Sequence, residues 1–305
     1  MNIAAAGEFP SKPVRLVVPF PPGGGADTLA RQVGQRLEQK WKQQVVIDNR
    51  GGAGGLIGTE IVFRAASDGY TLLFATQSTH GTNPSLYRKL PYDPVTGFNP
   101  VAMVASVPNV LVVHPSVAAS SVRELIALAQ QKPMALNYAS VGIGSSQHLI
   151  GELFKSKAGV NINHVPYKGT GPALIELVSG QVQMMFTNLI TSVGHIKSAK
   201  LRGLAVTSRS RSNVMPELPT VAEVIPDFEA VSWYGIVAPA GTPGNVVTRI
   251  NGDINAILAD PSLRERLLAG GAEPAGGTPG HFADYIRREI RKYSDIAKLA
   301  GIQPE

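Results

Sequence analysis

The 305-residue chain contains no cysteine. This excludes disulfides, thiolate catalysis and cysteine-ligated metal sites, but it leaves the compartment open, because many envelope proteins of bacteria also lack disulfides. Long hydrophobic runs are missing too. The apolar stretches are strand-length, far short of the roughly 20 residues a membrane helix needs. Charge is sparse at 16% and aromatic residues make up 6%, against 44% hydrophobic residues, the make-up of a packed globular protein and not a disordered one. A chain of this length forms two ordinary domains or one large one. The formal net charge of +6 is dispersed, and the densest basic stretches are 202–211 and 287–292. The second lies on an amphipathic helix whose apolar face carries Phe282, Tyr285, Ile286 and Ile290, so it reads as a solvated face and not a nucleic-acid contact. A mildly basic body suits an anionic ligand.

Strand-like runs recur at 14–20, 44–49, 70–76, 108–114, 135–140, 162–167, 182–188, 201–207 and 231–238, with helical patterns between many of them. Residues 27–41 place Ala30, Val33, Leu37 and Trp41 on one face. Ser121 with Glu124 forms a capping box that opens a helix closed by Pro133. Residues 146–158 stack Leu149, Leu153 and Phe154, with Gly159 as C-terminal cap. Pro172 and Gly180 bracket another helix. This alternation predicts an α/β architecture with mainly parallel sheet. After Pro239 the pattern turns helical, over 243–258, 261–269 and 279–300, each segment opened by proline behind Thr242, Asp260 or Thr278. If there are two domains, the chain passes between them more than once; the apolar segments 107–115 and 232–239, each ending at proline, are the candidate crossings.

The most informative stretch is 14–28. A buried-strand run, Val14 to Phe20, breaks at Pro21-Pro22, crosses three glycines and enters a helix near Asp27. Strand, glycine loop and helix N-terminus make an anion seat, because backbone N–H groups point outward and the helix dipole favours negative charge. The same logic repeats at 140–148, where Gly142 and Gly144 free the backbone and Ser140, Ser145 and Ser146 add hydroxyls. It repeats again at 164–172, which brings Lys168 and Thr170 to a helix start, and at 75–83, dense in hydroxyl and amide groups. Ligands of open α/β sheets bind beyond the carboxyl ends of the strands, where all four loops lie. One glycine loop is explained as well by close helix–strand packing; four together point to a shared anion-seeking cleft.

Other chemistries lack their motifs. The run Gly51 to Gly58 has no G-x-G-x-x-G in the dinucleotide frame, and no glycine is followed by Lys-Ser or Lys-Thr. It reads as close packing of a helix start or as a cleft wall. There is no G-x-S-x-G elbow, the six histidines show no metal spacing, and no compact carboxylate pair stands out. His80 and His148 lie in candidate loops, where a hydrogen bond at a loop or helix start is the commoner role. Asp27 serves equally as a helix cap or a ligand contact.

Taken in order, 18–27 (VPFPPGGGAD), 49–58 (NRGGAGGLIG), Asn83-Pro84 with Leu86-Tyr87, 144–148 (GSSQH), 165–174 (VPYKGTGPAL), 218–223 (LPTVAE) and 232–235 (SWYG) resemble the solute receptors of tripartite tricarboxylate transporters, the Bug or TctC-like family. One departure is visible: where the family often has Asp after Met185-Phe186, this chain has Thr187, a lost carboxylate that bears on ligand preference. The resemblance implies a type II-like periplasmic binding-protein fold of two α/β lobes, 1–108 with 236–305 and 109–235, closing on a ligand between them like a Venus flytrap. It implies a small carboxylate ligand (a di- or tricarboxylate, aromatic acid or acidic amino acid) passed to a membrane permease. It also implies a periplasmic monomer with no enzymatic activity, cofactor, metal or nucleic-acid partner. The segment Ala4-Ala5-Ala6 looks like the small-residue end of a removed leader.

One carboxylate is then expected between Phe20, Gly24, Gly25, Ala26 and Asp27 of the first loop and Ser140, Gly142, Gly144, Ser145 and Ser146 of the second, through backbone amides and water. Ser78, Thr79, His80, Lys168, Thr170 and Asn188 are expected to meet the far end and set specificity. Two other classes stay open: a hydrolase or transferase acting through Ser145 or Ser146, which turnover would reveal, and a ligand sensor for a signalling partner, which a partner pull-down would reveal. In the two-loop reading, bulky residues in place of Gly24 and Gly144 abolish binding in a ligand titration; binding that persisted would sink it.

Overall fold

The apolar run at Val14 forms the strand β1 (Val14–Val18), whose Val14, Val17 and Val18 are fully buried. The structure, a computed structural model, describes residues 9–299, 301, 302 and 304, so the Ala4-Ala5-Ala6 segment lies outside the described residues. The other strands are β2 (Val45–Asn49), β3 (Thr71–Thr76), β4 (Phe98–Val113), β5 (Asn137–Ser140), β6 (Asn163–Pro166), β7 (Met184–Asn188), β8 (Arg202–Val206), β9 (Val231–Pro239) and β10 (Glu273–Gly276). The helices are α1 (Gly25–Trp41), α2 (Leu56–Phe63), α3 (Asn83–Leu86), α4 (Val122–Gln131), α5 (Ser146–Ala158), α6 (Thr170–Val178), α7 (Leu189–Lys197), α8 (Gly244–Ala259), α9 (Pro261–Ala269) and α10 (Pro279–Leu299).

The strand order is β2-β1-β3-β9-β4-β7-β5-β6, with β8 and β10 also on β4. The sheet is mixed, which corrects the expectation of a mainly parallel one. Its flanks are parallel, β1 with β2 and β3, and β5 with β6 and β7. Its centre is antiparallel: β4 opposes β7, β8, β9 and β10, and β9 opposes β3. The helical alternation reports the βαβ flanks. The long central strands carry no sequence mark of direction, and β4 begins ten residues earlier than its apolar run indicates because Asn99 and Pro100 interrupt the pattern. β4 pairs with β9 through Pro108 and with β7 from Asn109 onward, so this one strand serves both halves of the sheet.

Helix boundaries follow local chemistry. Ser121 caps α4 by accepting from the Glu124 N–H at 3.2 Å, but the Glu124 carboxylate accepts from the Ser120 N–H at 2.7 Å, one residue before the partner a capping box requires. Ser145 caps α5 by accepting from the His148 N–H, and Gly159 ends the helix at φ 62°.

Two cores form on the two halves. On one, Leu29, Val33 and Leu37 of α1 and Ile250 and Ile254 of α8 pack over β1, β3 and β9. On the other, Leu125, Phe154, Phe186 and Phe228 fill the space against β4 and β7. Helix α10 serves both: Phe282 and Ile286 pack with Leu73 and Val237, while Tyr293 and Ala297 pack with Leu86 of α3 and Leu149 of α5. Phe186 is fully buried, its ring centroid 5.5 Å from that of Phe154. Phe186→Ala is expected to lower unfolding free energy by about 3–5 kcal/mol in urea titration; a loss below about 1 kcal/mol would contradict this packing.

Candidate ligand-binding site

Four helices begin around one cavity. Gly24 precedes α1, Ser145 precedes α5, Gly169 precedes α6 and Asn188 precedes α7. The first N–H groups of each helix have no acceptor within it, and each dipole places partial positive charge at that end. The cavity is lined by Phe20, Gly24, Gly25, Ala26, Thr76, Gln77, Ser78, Val141, Ser146, Gln147, Thr170, Asn188, Ser232, Trp233 and Tyr234. None of these residues carries a formal charge. The polar character of the wall comes from backbone groups, hydroxyls and amides.

Asn188 organises the floor. Its Nδ2 donates to Asn109 Oδ1 (2.9 Å) and Ser232 Oγ (3.0 Å), and its Oδ1 accepts from the Tyr234 hydroxyl. Asn109 Nδ2 in turn donates to Ser232 Oγ and the Ala230 carbonyl, both at 3.2 Å. This buried network ties β4, β7 and β9 together. Gly25 lies against it: a Cβ there would fall 2.6 Å from Asn188 Oδ1 and 2.8 Å from Tyr234 Oη, so only glycine fits.

The structure brings Phe20, Gly24, Gly25, Ala26, Ser78, Ser146, Thr170 and Asn188 to the cavity wall and places the other expected residues off it. Asp27 turns back into its own loop, accepting from the Gly23 N–H at 3.0 Å and pairing with Arg31 at 2.9 Å. Burial raises its carboxyl, but the hydrogen bonds from Arg31, Gly23 and Asn49 outweigh this and hold it below the usual carboxylate range. Ser145 is spent on capping, and its hydroxyl donates to the Gly142 carbonyl at 2.7 Å. Ser140 Oγ sits 2.6 Å from His164 Nε2 and accepts from the Gly142 N–H, so Ser140 and Gly142 shape the loop behind the wall. Gly144, at φ +78°, faces Tyr87. Thr79 and His80 are buried in a single π turn over Ser78–Thr82, with Thr79 Oγ1 2.9 Å from His80 Nδ1 and the His80 ring against Phe98 and Tyr92. Lys168 is exposed. The departing Thr187 is also off the wall, its hydroxyl 3.2 Å from that of Thr191.

The wall residues absent from the expected set are Thr76, Gln77, Val141, Gln147, Ser232, Trp233 and Tyr234. Thr76, Gln77, Val141 and Gln147 sit in loops already singled out. The Ser232 to Tyr234 stretch shows its role only through strand alternation: the side chains of Ser232 and Tyr234 meet Asn188, while Trp233 Nε1 donates to Glu289 at 3.0 Å on the other face.

Residues 29–302 match the family described as the tripartite tricarboxylate transporter family receptor. The chain belongs to that family. Among solved structures, it is 41% identical to Rpa4515 of R. palustris with adipate, with a TM-score of 0.95 over 98% of this chain and 100% of that one. It is 35% identical to the periplasmic binding protein BugD, at a TM-score of 0.93 over 97% and 100% of the two chains. It is 32% identical to MatC (Rpa3494) from Rhodopseudomonas palustris with bound malate, at a TM-score of 0.90 over 94% and 99%. The receptor therefore has the two-lobed fold of periplasmic binding proteins.

Two histidines beside the site make its support acid-sensitive. Burial pushes His80 down to about 3, and burial with the neighbouring His148 and Lys155 pushes His164 down to about 3. Each binds fewer protons folded than unfolded between those values and the ordinary 6.5, so folded stability rises with pH in that window and is lost as pH falls through it. Denaturant unfolding at pH 7 and pH 5 is expected to show the loss, with His80 alone contributing up to about 1.4 kcal/mol per pH unit below 6.5. In His80→Gln the slope is expected to flatten; an unchanged slope would contradict the assignment.

Proposed function

We propose that this receptor binds a small carboxylate in the cavity between its lobes and delivers it to the membrane permease of a tripartite tricarboxylate transporter. The convergence of four helix N-termini on a cavity with no charged side chain carries this reading, because N–H groups and the positive dipole ends of helices match carboxylate oxygens without a fixed counter-ion. The adipate and malate bound by its structural neighbours support a linear C4 to C6 dicarboxylate. We assign the described residues up to 108 to one lobe, on the support of β4 changing partners between Pro108 and Asn109, and we set the return from the second lobe at about Val231, five residues before the expected 236, because β9 from there on pairs with β3 and with β4 only up to Pro108. The protein works as a periplasmic monomer, without cofactor and without turnover.

Contacts made from both lobes in the closed form stand in for a fixed counter-charge. The α1 and α6 N-termini come together at the cavity mouth, where a Cβ on Gly24 would lie 3.0 Å from Thr170 Oγ1 and one on Gly169 would lie 3.1 Å from the Pro21 ring. A ligand touched from both sides stabilises the closed arrangement through contacts the open one lacks. The Ser145 hydroxyl donates to the Gly142 carbonyl at 2.7 Å and the Ser146 hydroxyl to Gln147 Oε1 at 2.9 Å, which favours structural roles for both over nucleophilic ones.

Thermal unfolding with adipate, malate and the neutral adipamide tests the reading. The two acids are expected to stabilise the protein, by about 2.7 kcal/mol at 100-fold excess over Kd, and adipamide not at all. Gly25→Leu is expected to remove the shift. Equal stabilisation by the diamide, or chemical conversion of the acids, would refute the proposal.

A further inference from the structure

The glycine run Gly51 to Gly58 lines no part of the cavity, yet it sits where the lobes meet. Gly54, at φ +61°, lies so near the opposite lobe that a Cβ on it would fall 3.2 Å from the Ile143 carbonyl oxygen and 3.5 Å from the Gly144 carbonyl carbon. The same Cβ would fall 3.4 Å from Tyr87 Oη, and a Cβ on Gly144 would approach that hydroxyl to 2.7 Å. Tyr87 is thus fitted against one glycine from each lobe. Around this point the protein groups bond across the gap. The Ser146 N–H of α5 donates to Ser78 Oγ at 3.1 Å, the Thr82 hydroxyl reaches the Gly144 carbonyl at 3.5 Å, and Leu86 shares a buried cluster with Leu149.

We propose that Gly54 and Tyr87 form a closure seat onto which the loop 142–146 settles, so that the glycine run sets ligand affinity from outside the cavity. The proposal rests on the receptor reading above. Its energetics follow from population: a ligand that binds only the closed arrangement shows an apparent Kd equal to its intrinsic Kd divided by the closed fraction. A backbone with no side chain at Gly54 lets the α5 N-terminus advance until its first amides face those of α1. A side chain there holds the lobes apart by its own thickness and lowers the closed fraction without touching the ligand.

Gly54→Asn tests the seat, because asparagine tolerates positive φ while its side chain blocks the approach. Gly159→Asn is the control, since Gly159 has the same φ of +62° and nothing within 4 Å of a Cβ. Gln35→Cys with Lys168→Cys, in a chain otherwise free of cysteine, carries a spin-label pair that reports lobe separation. Gly54→Asn is expected to weaken adipate binding by about tenfold or more and to move the label distances to longer values. Gly159→Asn is expected to match wild type in both, and both variants to fold without ligand at a somewhat lowered unfolding temperature, because each puts a side chain at the same positive φ. Gly144→Asn, which crowds Tyr87 from the other lobe, is expected to repeat the effect and serves if Gly54→Asn fails to fold. Wild-type affinity in the folded Gly54→Asn or Gly144→Asn variant would overturn the proposal. If wild type binds neither adipate nor malate, the ligand reading fails separately; the label distances of the ligand-free proteins then decide, and identical distributions for Gly54→Asn and Gly159→Asn overturn the seat.

Discussion

Asn188 is the point on which the site depends. One carboxamide at the end of β7 exchanges hydrogen bonds with β4 and β9 and so ties three strands together under the cavity. It ends β7, precedes α7, holds Tyr234 of β9 in place and leaves just enough space for the bare backbone of Gly25. Buried polar networks rigidify only when every member is satisfied. Here Asn109 and Ser232 complete the set, so the floor is stiff where the walls must move.

Stiffness matters because the site uses dipoles in place of charges. A lysine or arginine attracts a carboxylate over several ångströms and tolerates misplacement; a backbone N–H acts within hydrogen-bond distance and along a narrow angle. Selectivity by helix N-termini therefore demands that loops be held to tenths of an ångström. This explains why Asp27 and Ser145, both polar and both beside the cavity, turn away from it. Asp27 fixes the first glycine loop by accepting from Gly23, and Ser145 fixes the second by capping α5. A ligand-facing carboxylate would also repel the anion that the dipoles attract.

Much of this was legible in the chain of residues, and the reasons divide cleanly. The α1 and α5 boundaries followed from glycine, serine and the apolar stripe, because capping chemistry is local. The four loops that meet at the cavity followed from strand–loop–helix punctuation. The antiparallel centre did not, since β4 and β9 are paired across more than a hundred residues and their direction leaves no local pattern. Nor did the contribution of Ser232 and Tyr234, which depends on which face of β9 meets Asn188. The inward turn of His80 was not legible either, because nothing in a polar loop marks the π turn that carries its ring against Phe98.

The neutral wall has a consequence at long range. The wall holds no formally charged side chain whose protonation loading could shift, so an occupied molecule differs from an empty one by the charge of its cargo. With a dianion aboard, the formal net charge of +6 drops by two units, and the field around the protein weakens accordingly. Loading is therefore written on the outside of the molecule as a change in electrophoretic mobility and in attraction to acidic surfaces, even where no atom of the surface has moved.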